Sequence, residues 1–179
     1  KVVCGIPLTL DEETGTLLYG ESVDFEKEVS VSIKEMLPYL LNKSIRYPEQ
    51  VYRQYKGVQF RSDKETISSQ LSYDVLQIPY GLLGIEFVKT HIYYSDYQKD
   101  KYDSIIEVIS GEITLLIQHP QDEVDDLFED EDMEIDIIEL KEGERMAIPT
   151  GVYYTFVNTS SSSVILARVS SKKNSNIVD

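Results

Sequence analysis

Tryptophan is absent, cysteine occurs once and histidine twice in the 179 residues. The single Cys4 leaves no internal disulfide, so a stapled secreted scaffold is excluded and a reducing, cytoplasmic setting is expected. With His91 and His119 the whole imidazole supply, a centre built on several histidines is out of reach. Long hydrophobic runs are also missing: no apolar stretch approaches the roughly 20 residues that cross a bilayer, so no membrane role is expected. Nothing near the start reads as a signal peptide, because residues 10–15 (LDEETG) already form a turn signal. Basic residues are outnumbered, 17 Lys and Arg against 32 Asp and Glu, for a net charge of -15. That balance opposes nucleic acid backbones and anionic lipid surfaces as partners.

What is present fits one domain with a core of useful size. Residues 1–50 are expected to be an extension packed on a β-barrel of residues 51–170, with a polar tail at 171–179. Within the extension, Ile33, Met36, Leu37, Leu40 and Leu41 share a helical stripe, interrupted by Pro38. This predicts a short, broken helix that lies as a lid on a sheet. Residues 122–136 (DEVDDLFEDEDMEID) are mostly carboxylates and read as a solvated loop, with a docking segment for a basic protein partner as the functional rival. The run lacks the glycine and the oxygen spacing of an EF-hand loop.

From Val51 onward the hydrophobic period changes to two. Strands are predicted at 51–60, 73–79, 85–94, 105–109, 113–118, 134–140, 146–149, 153–158 and 164–169, with turns at 109–112 and 158–163. Short strands rich in Ile, Val and Tyr with almost no helix between them predict an all-β antiparallel sandwich or barrel. Crossover helices for a parallel sheet are missing.

On such strands alternate residues face inward, which puts His91 and Tyr93 on one face. Ser104, Ile106 and Val108 on the next strand, and Tyr154 and Phe156 on a later one, are expected to meet them. Glu86 and Glu107 have the opposite parity. Lys89 shares the parity of His91 and could reach a phosphate. His119 lies beyond a strand end and is expected to face solvent.

Several segments together resemble the cupin-type, metal-dependent glucose-6-phosphate isomerases of archaea and some bacteria. They are the turn at 10–15, the aromatic strand with Tyr52 and Tyr55, residues 86–93 (EFVKTHIY), Ile106 to the glycine turn at Gly111, residues 115–118 (LLIQ), and 148–158 (IPTGVYYTFVN). The resemblance implies a cupin double-stranded β-helix, or jelly-roll, barrel. It further implies a homodimer, a sugar-phosphate ligand, and a divalent ion (Fe, Mn, Ni or Zn) held by three histidines and a carboxylate. His91 matches the first ligand, but Tyr93, Ser104 and Tyr154 stand at the other three positions, and Ile106 replaces a pocket tyrosine.

A phenol with an ordinary pKa near ~10 is protonated at neutral pH and is a weak ligand. No metal cofactor is therefore expected, with His91 the one retained ligand-type residue. The leading expectation is a sugar-phosphate or small-metabolite binding or regulatory module, with Tyr52, Lys89, His91, Tyr93, Ser104 and Tyr154 lining the site. The alternatives are a divergent isomerase with His91 as proton shuttle and a metal present, or a structural, protein-interaction cupin.

Overall fold

The computed structural model describes residues 6–11, 16–63, 71–95, 102–119 and 134–171. The carboxylates at 122–133, the last residues of the turn at 10–15 and most of the tail lie outside the described residues. Strands β1 (Leu8–Asp11) and β2 (Thr16–Tyr19) form an antiparallel hairpin, followed by β3 (Val23–Asp24), β4 (Lys27–Ser32) and the helix α1 (Ile33–Met36). Then come β5 (Gln50–Lys56), β6 (Gln59–Phe60), β7 (Leu71–Ile78), β8 (Leu82–Leu83), β9 (Glu86–Phe87) and β10 (Tyr93–Tyr94). The remaining strands are β11 (Tyr102–Ser110), β12 (Glu112–Gln118), β13 (Ile135–Lys141), β14 (Arg145–Pro149), β15 (Tyr153–Val157) and β16 (Val164–Ser171).

Two antiparallel sheets carry the fold. One has the order β14-β11-β16-β7-β5-β4, the other β10-β15-β12-β13. The main core joins Tyr52, Leu76, Ile106, Ile148 and Leu166 of the larger sheet with Ile113, Leu115, Ile117 and Phe156 of the smaller one. The all-β, cupin-like architecture is thus present, as two packed sheets. Among the described residues no ladder closes either sheet into a barrel. Residues 27–32, inside the N-terminal segment, supply the edge strand β4 of the larger sheet.

The larger sheet is covered on both faces. Along β16, Val164 and Leu166 enter the main core, whereas Ile165 and Ala167 join a second cluster with Leu17 of the hairpin, Val23 and Val75. Burial on both faces is why this strand opens with a continuous apolar run, Val164 to Ala167. The turn between β11 and β12 needs Gly111: its φ is +88°, and a Cβ would meet the Ser163 carbonyl oxygen at 3.1 Å.

The expected lid is there. Ser32 and Glu35 close a capping box at the start of α1, and Pro38 opens a 3-10 turn at Leu37–Tyr39. Ile33, Met36 and Leu40 are buried in the main core, while Leu41 is 76% exposed.

The long strand expected at 85–94 is broken. β9 pairs only with β8, Lys89 makes an isolated bridge to Val157, and pairing resumes at β10 against β15. Thr90 explains the interruption: its hydroxyl accepts the Phe156 amide at 3.2 Å, a donor that a regular ladder would give to a carbonyl. Simple parity therefore does not run through this segment, and Thr90 and His91 are both buried.

Candidate functional site: a buried arginine among the phenols

Tyr93 and Tyr154 are register partners on β10 and β15. Each is 3% exposed, and their rings stack at 5.3 Å with 26° between planes. Directly opposed aromatic side chains of this kind are a normal way to stabilise a strand pair. Ser104 enters from β11 of the facing sheet and is buried. The pairing of β11 with β14 shifts register between Tyr102 and Ser104. Asp103 is consequently buried as well, while Ile105 stays outward at 51% exposure.

Tyr52, on β5, is fully buried, and its hydroxyl lies 2.7 Å from His91 Nδ1. The same hydroxyl accepts the His91 main-chain N–H at 3.5 Å. A hydroxyl carries one donor and two acceptor lone pairs, so Tyr52 holds the His91 ring and its main chain at once. Tyr39, from the 3-10 turn of the lid, covers the imidazole edge-on at 5.1 Å.

The remaining sequence-predicted residues lie elsewhere. Lys89 is half-buried, and its Nζ donates to Glu86 Oε1 at 2.6 Å while Glu86 Oε2 accepts the Leu41 N–H. Lys89 thus ties the segment to the lid. Glu107 pairs with Arg145 at 3.0 Å, and His119 meets Asp136 at 2.9 Å outside the core, in accord with its expected exposure.

Sequence reasoning missed Arg168. From β16 its guanidinium reaches the centre of the sandwich, 5.0 Å from the Tyr93 ring centroid, with Nη1 3.5 Å from the Tyr154 hydroxyl. Nη2 donates to Asp74 Oδ2 at 3.2 Å, and both residues are almost fully buried. Asp74 is further held by Gln54 Nε2, the Gly57 N–H and the Ser72 hydroxyl. The signal was available: Asp74 and Arg168 are the charged residues of β7 and β16, opposite in sign, and they are register partners.

Burial pushes the phenols of Tyr52, Tyr93 and Tyr154 above their ordinary pKa. Arg168 opposes this at Tyr93 and Tyr154 without reversing it. All three remain protonated at neutral pH. Burial lowers the pKa of His91, partly offset by Glu35, so the imidazole is neutral.

A family model for glucose-6-phosphate isomerase (GPI) matches residues 38–179, most of the sequence. The chain belongs to the GPI family. No curated protein matches it. Among solved structures, it is similar to a deletion mutant of Bacillus subtilis oxalate decarboxylase, at 9% identity and a TM-score of 0.50 over 74% of this chain and 29% of that one. It is similar too to the Schizosaccharomyces pombe Cnp3 cupin domain, at 12% identity and a TM-score of 0.42 over 67% and 66% of the two chains. A third similar structure is peruvianin-I, a cysteine peptidase from Thevetia peruviana latex, at 17% identity and a TM-score of 0.43 over 61% of this chain and 56% of that one. The chain thus spans little more than half of peruvianin-I and under a third of the decarboxylase.

In this GPI-family protein the donor set does not fit the divalent ion the resemblance implies. Two of the four positions are protonated phenols, a third is a serine, and a guanidinium already contacts both phenols. A second cation there would meet a fixed positive charge at short range in a medium that screens poorly. His91 Nδ1 is already hydrogen-bonded to the Tyr52 hydroxyl. Among the described residues no group of three or more His, Cys, Asp or Glu side chains gathers to hold a metal.

Proposed function

We propose that this GPI-family protein binds a small polar metabolite of the sugar-phosphate class without metal-dependent catalysis. The observation that supports this reading is the Arg168 guanidinium lodged against both Tyr93 and Tyr154 and balanced by Asp74. Isomerisation between an aldose and a ketose needs a proton moved between adjacent carbons and a charge to stabilise the developing oxyanion. A guanidinium already engaged by a carboxylate is a weaker electrophile than a divalent ion with an open coordination position. Binding needs less: hydroxyl-rich walls and aromatic faces, which Tyr52, His91, Tyr93, Ser104 and Tyr154 supply.

Elemental analysis, an isomerase assay and calorimetric titration with glucose 6-phosphate, all on the full chain, test the reading. Expected are no stoichiometric transition metal, no turnover above the uncatalysed rate and saturable binding. One observation favours a second reading, a divergent isomerase: the neutral His91 imidazole, hydrogen-bonded to Tyr52, is in the right state to accept a proton. Turnover that disappears in His91→Ala would establish that reading and overturn the first.

A further inference from the structure

Exposed apolar side chains gather beside the lid. In the β8–β9 hairpin Leu83 is buried in the core, so its neighbour Leu82 and the register partner Phe87 turn outward, at 57% and 45% exposure. Ile85, in the turn of the hairpin, is 81% exposed. The lid segment lies against this hairpin: the Leu41 N–H donates to Glu86, and Ile45 and Asn42 come within 4 Å of where a Cβ on Gly84 would stand. It adds Leu41 and Tyr47, both mostly in solvent. Single apolar residues on a surface are ordinary, but five on two touching segments call for a partner.

The charge beside these side chains narrows the partner. Residues 36–48 contain Lys43 and Arg46 and no Asp or Glu, in a chain of net charge -15. Both cations are exposed, and their heads rest on main-chain carbonyls, Lys43 on that of Pro38 and Arg46 on those of Lys43 and Ile45. Glu86, the carboxylate that Lys43 acts on, is already held by Lys89 and the Leu41 N–H. An apolar surface with an excess of positive charge fits a segment that is acidic and carries bulky apolar side chains. This chain has such a segment. Residues 122–133 (DEVDDLFEDEDM) hold eight Asp and Glu, no Lys or Arg, and the apolar Val124, Leu127, Phe128 and Met133.

Where that segment is anchored decides which copy it comes from. Its flanks meet where the His119 N–H donates to the Glu134 carbonyl, next to Gln118, the register partner of Tyr153 on β15. The hairpin runs into Val88 at the other end of β15, where the Asn158 N–H donates to the Val88 carbonyl and Lys89 bridges Val157. Tyr153 and Val157 are four positions apart, about 14 Å along a strand at ~3.4 Å per residue. Doubled back on themselves, residues 120–133 reach about 23 Å at full stretch, seven residues at ~3.3 Å each, so most of that reach would go on the crossing. A second copy meets no such limit. We propose that the surface formed by the lid and the β8–β9 hairpin docks residues 122–133 of a second copy of this chain, with Leu127 and Phe128 against the apolar side chains and the carboxylates beside Lys43 and Arg46. Reciprocal exchange then closes a two-fold dimer.

Sedimentation of the full chain, with a synthetic peptide of residues 122–136 as competitor and as a labelled probe in fluorescence anisotropy, tests the proposal. The full chain is expected to sediment as a dimer that excess peptide splits. Ile85→Asp is expected to weaken the dimer about tenfold or more without lowering Tm, since that side chain is largely in solvent. Replacing residues 122–133 by a Gly-Ser linker of equal length is expected to give a monomer that binds the peptide, and Ile85→Asp in that background to abolish the binding. A dimer that survives both excess peptide and Ile85→Asp overturns the proposal in favour of another interface. A native chain that stays monomeric while the linker variant binds the peptide overturns it in favour of docking within one chain. A native chain that stays monomeric and a linker variant that leaves the peptide free overturn the surface itself.

Discussion

Arg168 and His91 are buried residues whose charge state the interior bears on. Arg168 is 3% exposed and its carboxylate partner, Asp74, is 2% exposed. Removing one member of a buried ion pair leaves the other charged and desolvated, at a cost of about 3–5 kcal/mol. Arg168→Met keeps most of the side-chain volume and strands Asp74. Urea unfolding of that variant is expected to show a loss in this range, and a loss below about 1 kcal/mol would mean the pair is not closed to water.

His91 gives a pH dependence of definite sign. Its folded pKa lies below the ordinary histidine value of about 6.5 because burial disfavours the imidazolium, with Glu35 pulling the other way. The unfolded chain therefore binds the proton more readily. The stability contributed by neutral His91 is complete above about pH 6.5 and is lost as pH falls through the lower folded value. The urea midpoint should fall between pH 7.5 and 5.5, more steeply in the native protein than in His91→Gln.

At the scale of elements, the lid connects local sequence to the site. α1 has only four residues, too few to hold itself without packing, so the capping box and the burial of Ile33 and Met36 define it. Ser32→Ala removes the acceptor for the Glu35 amide and is expected to cost about 1 kcal/mol. Because Tyr39 follows directly and covers His91, the same change should speed amide exchange at Met36 and Leu40 and raise the His91 pKa towards its ordinary value. Unchanged imidazole titration by NMR would show that the lid does not shield His91.

The long strands after residue 50 were legible because period-two apolar alternation marks half-buried strands, and β5, β7 and β11 to β16 fall close to where that pattern puts them, whereas β1 to β4 were not foreseen. The segment around Thr90 was not legible either, because a hydroxyl that substitutes for a ladder acceptor leaves the apolar pattern unaltered. For the site, the sequence displayed Tyr93 and Tyr154 in place of histidines. It hid their shared contact with Arg168, since that meeting depends on two sheets packing and not on spacing along one strand.

For the whole molecule, the larger sheet is sandwiched between two apolar clusters and ties β4 to the rest of the fold. Its net charge of -15 opposes compaction through self-repulsion, and a bound cation would normally relieve part of that. If a divalent ion were held in the cup by the native state alone, it would also add stability by mass action, about 2.7 kcal/mol at a hundred times its Kd. Under the proposed metal-free reading, Arg168, a cation supplied by the chain itself and balanced by Asp74, takes the place of such an ion. Prolonged chelation followed by dialysis should therefore leave Tm unchanged, and adding back manganese, zinc, nickel or ferrous iron should not raise it. A rise of several degrees with one of these ions, abolished in His91→Ala, would show that the core still binds metal through its remaining imidazole.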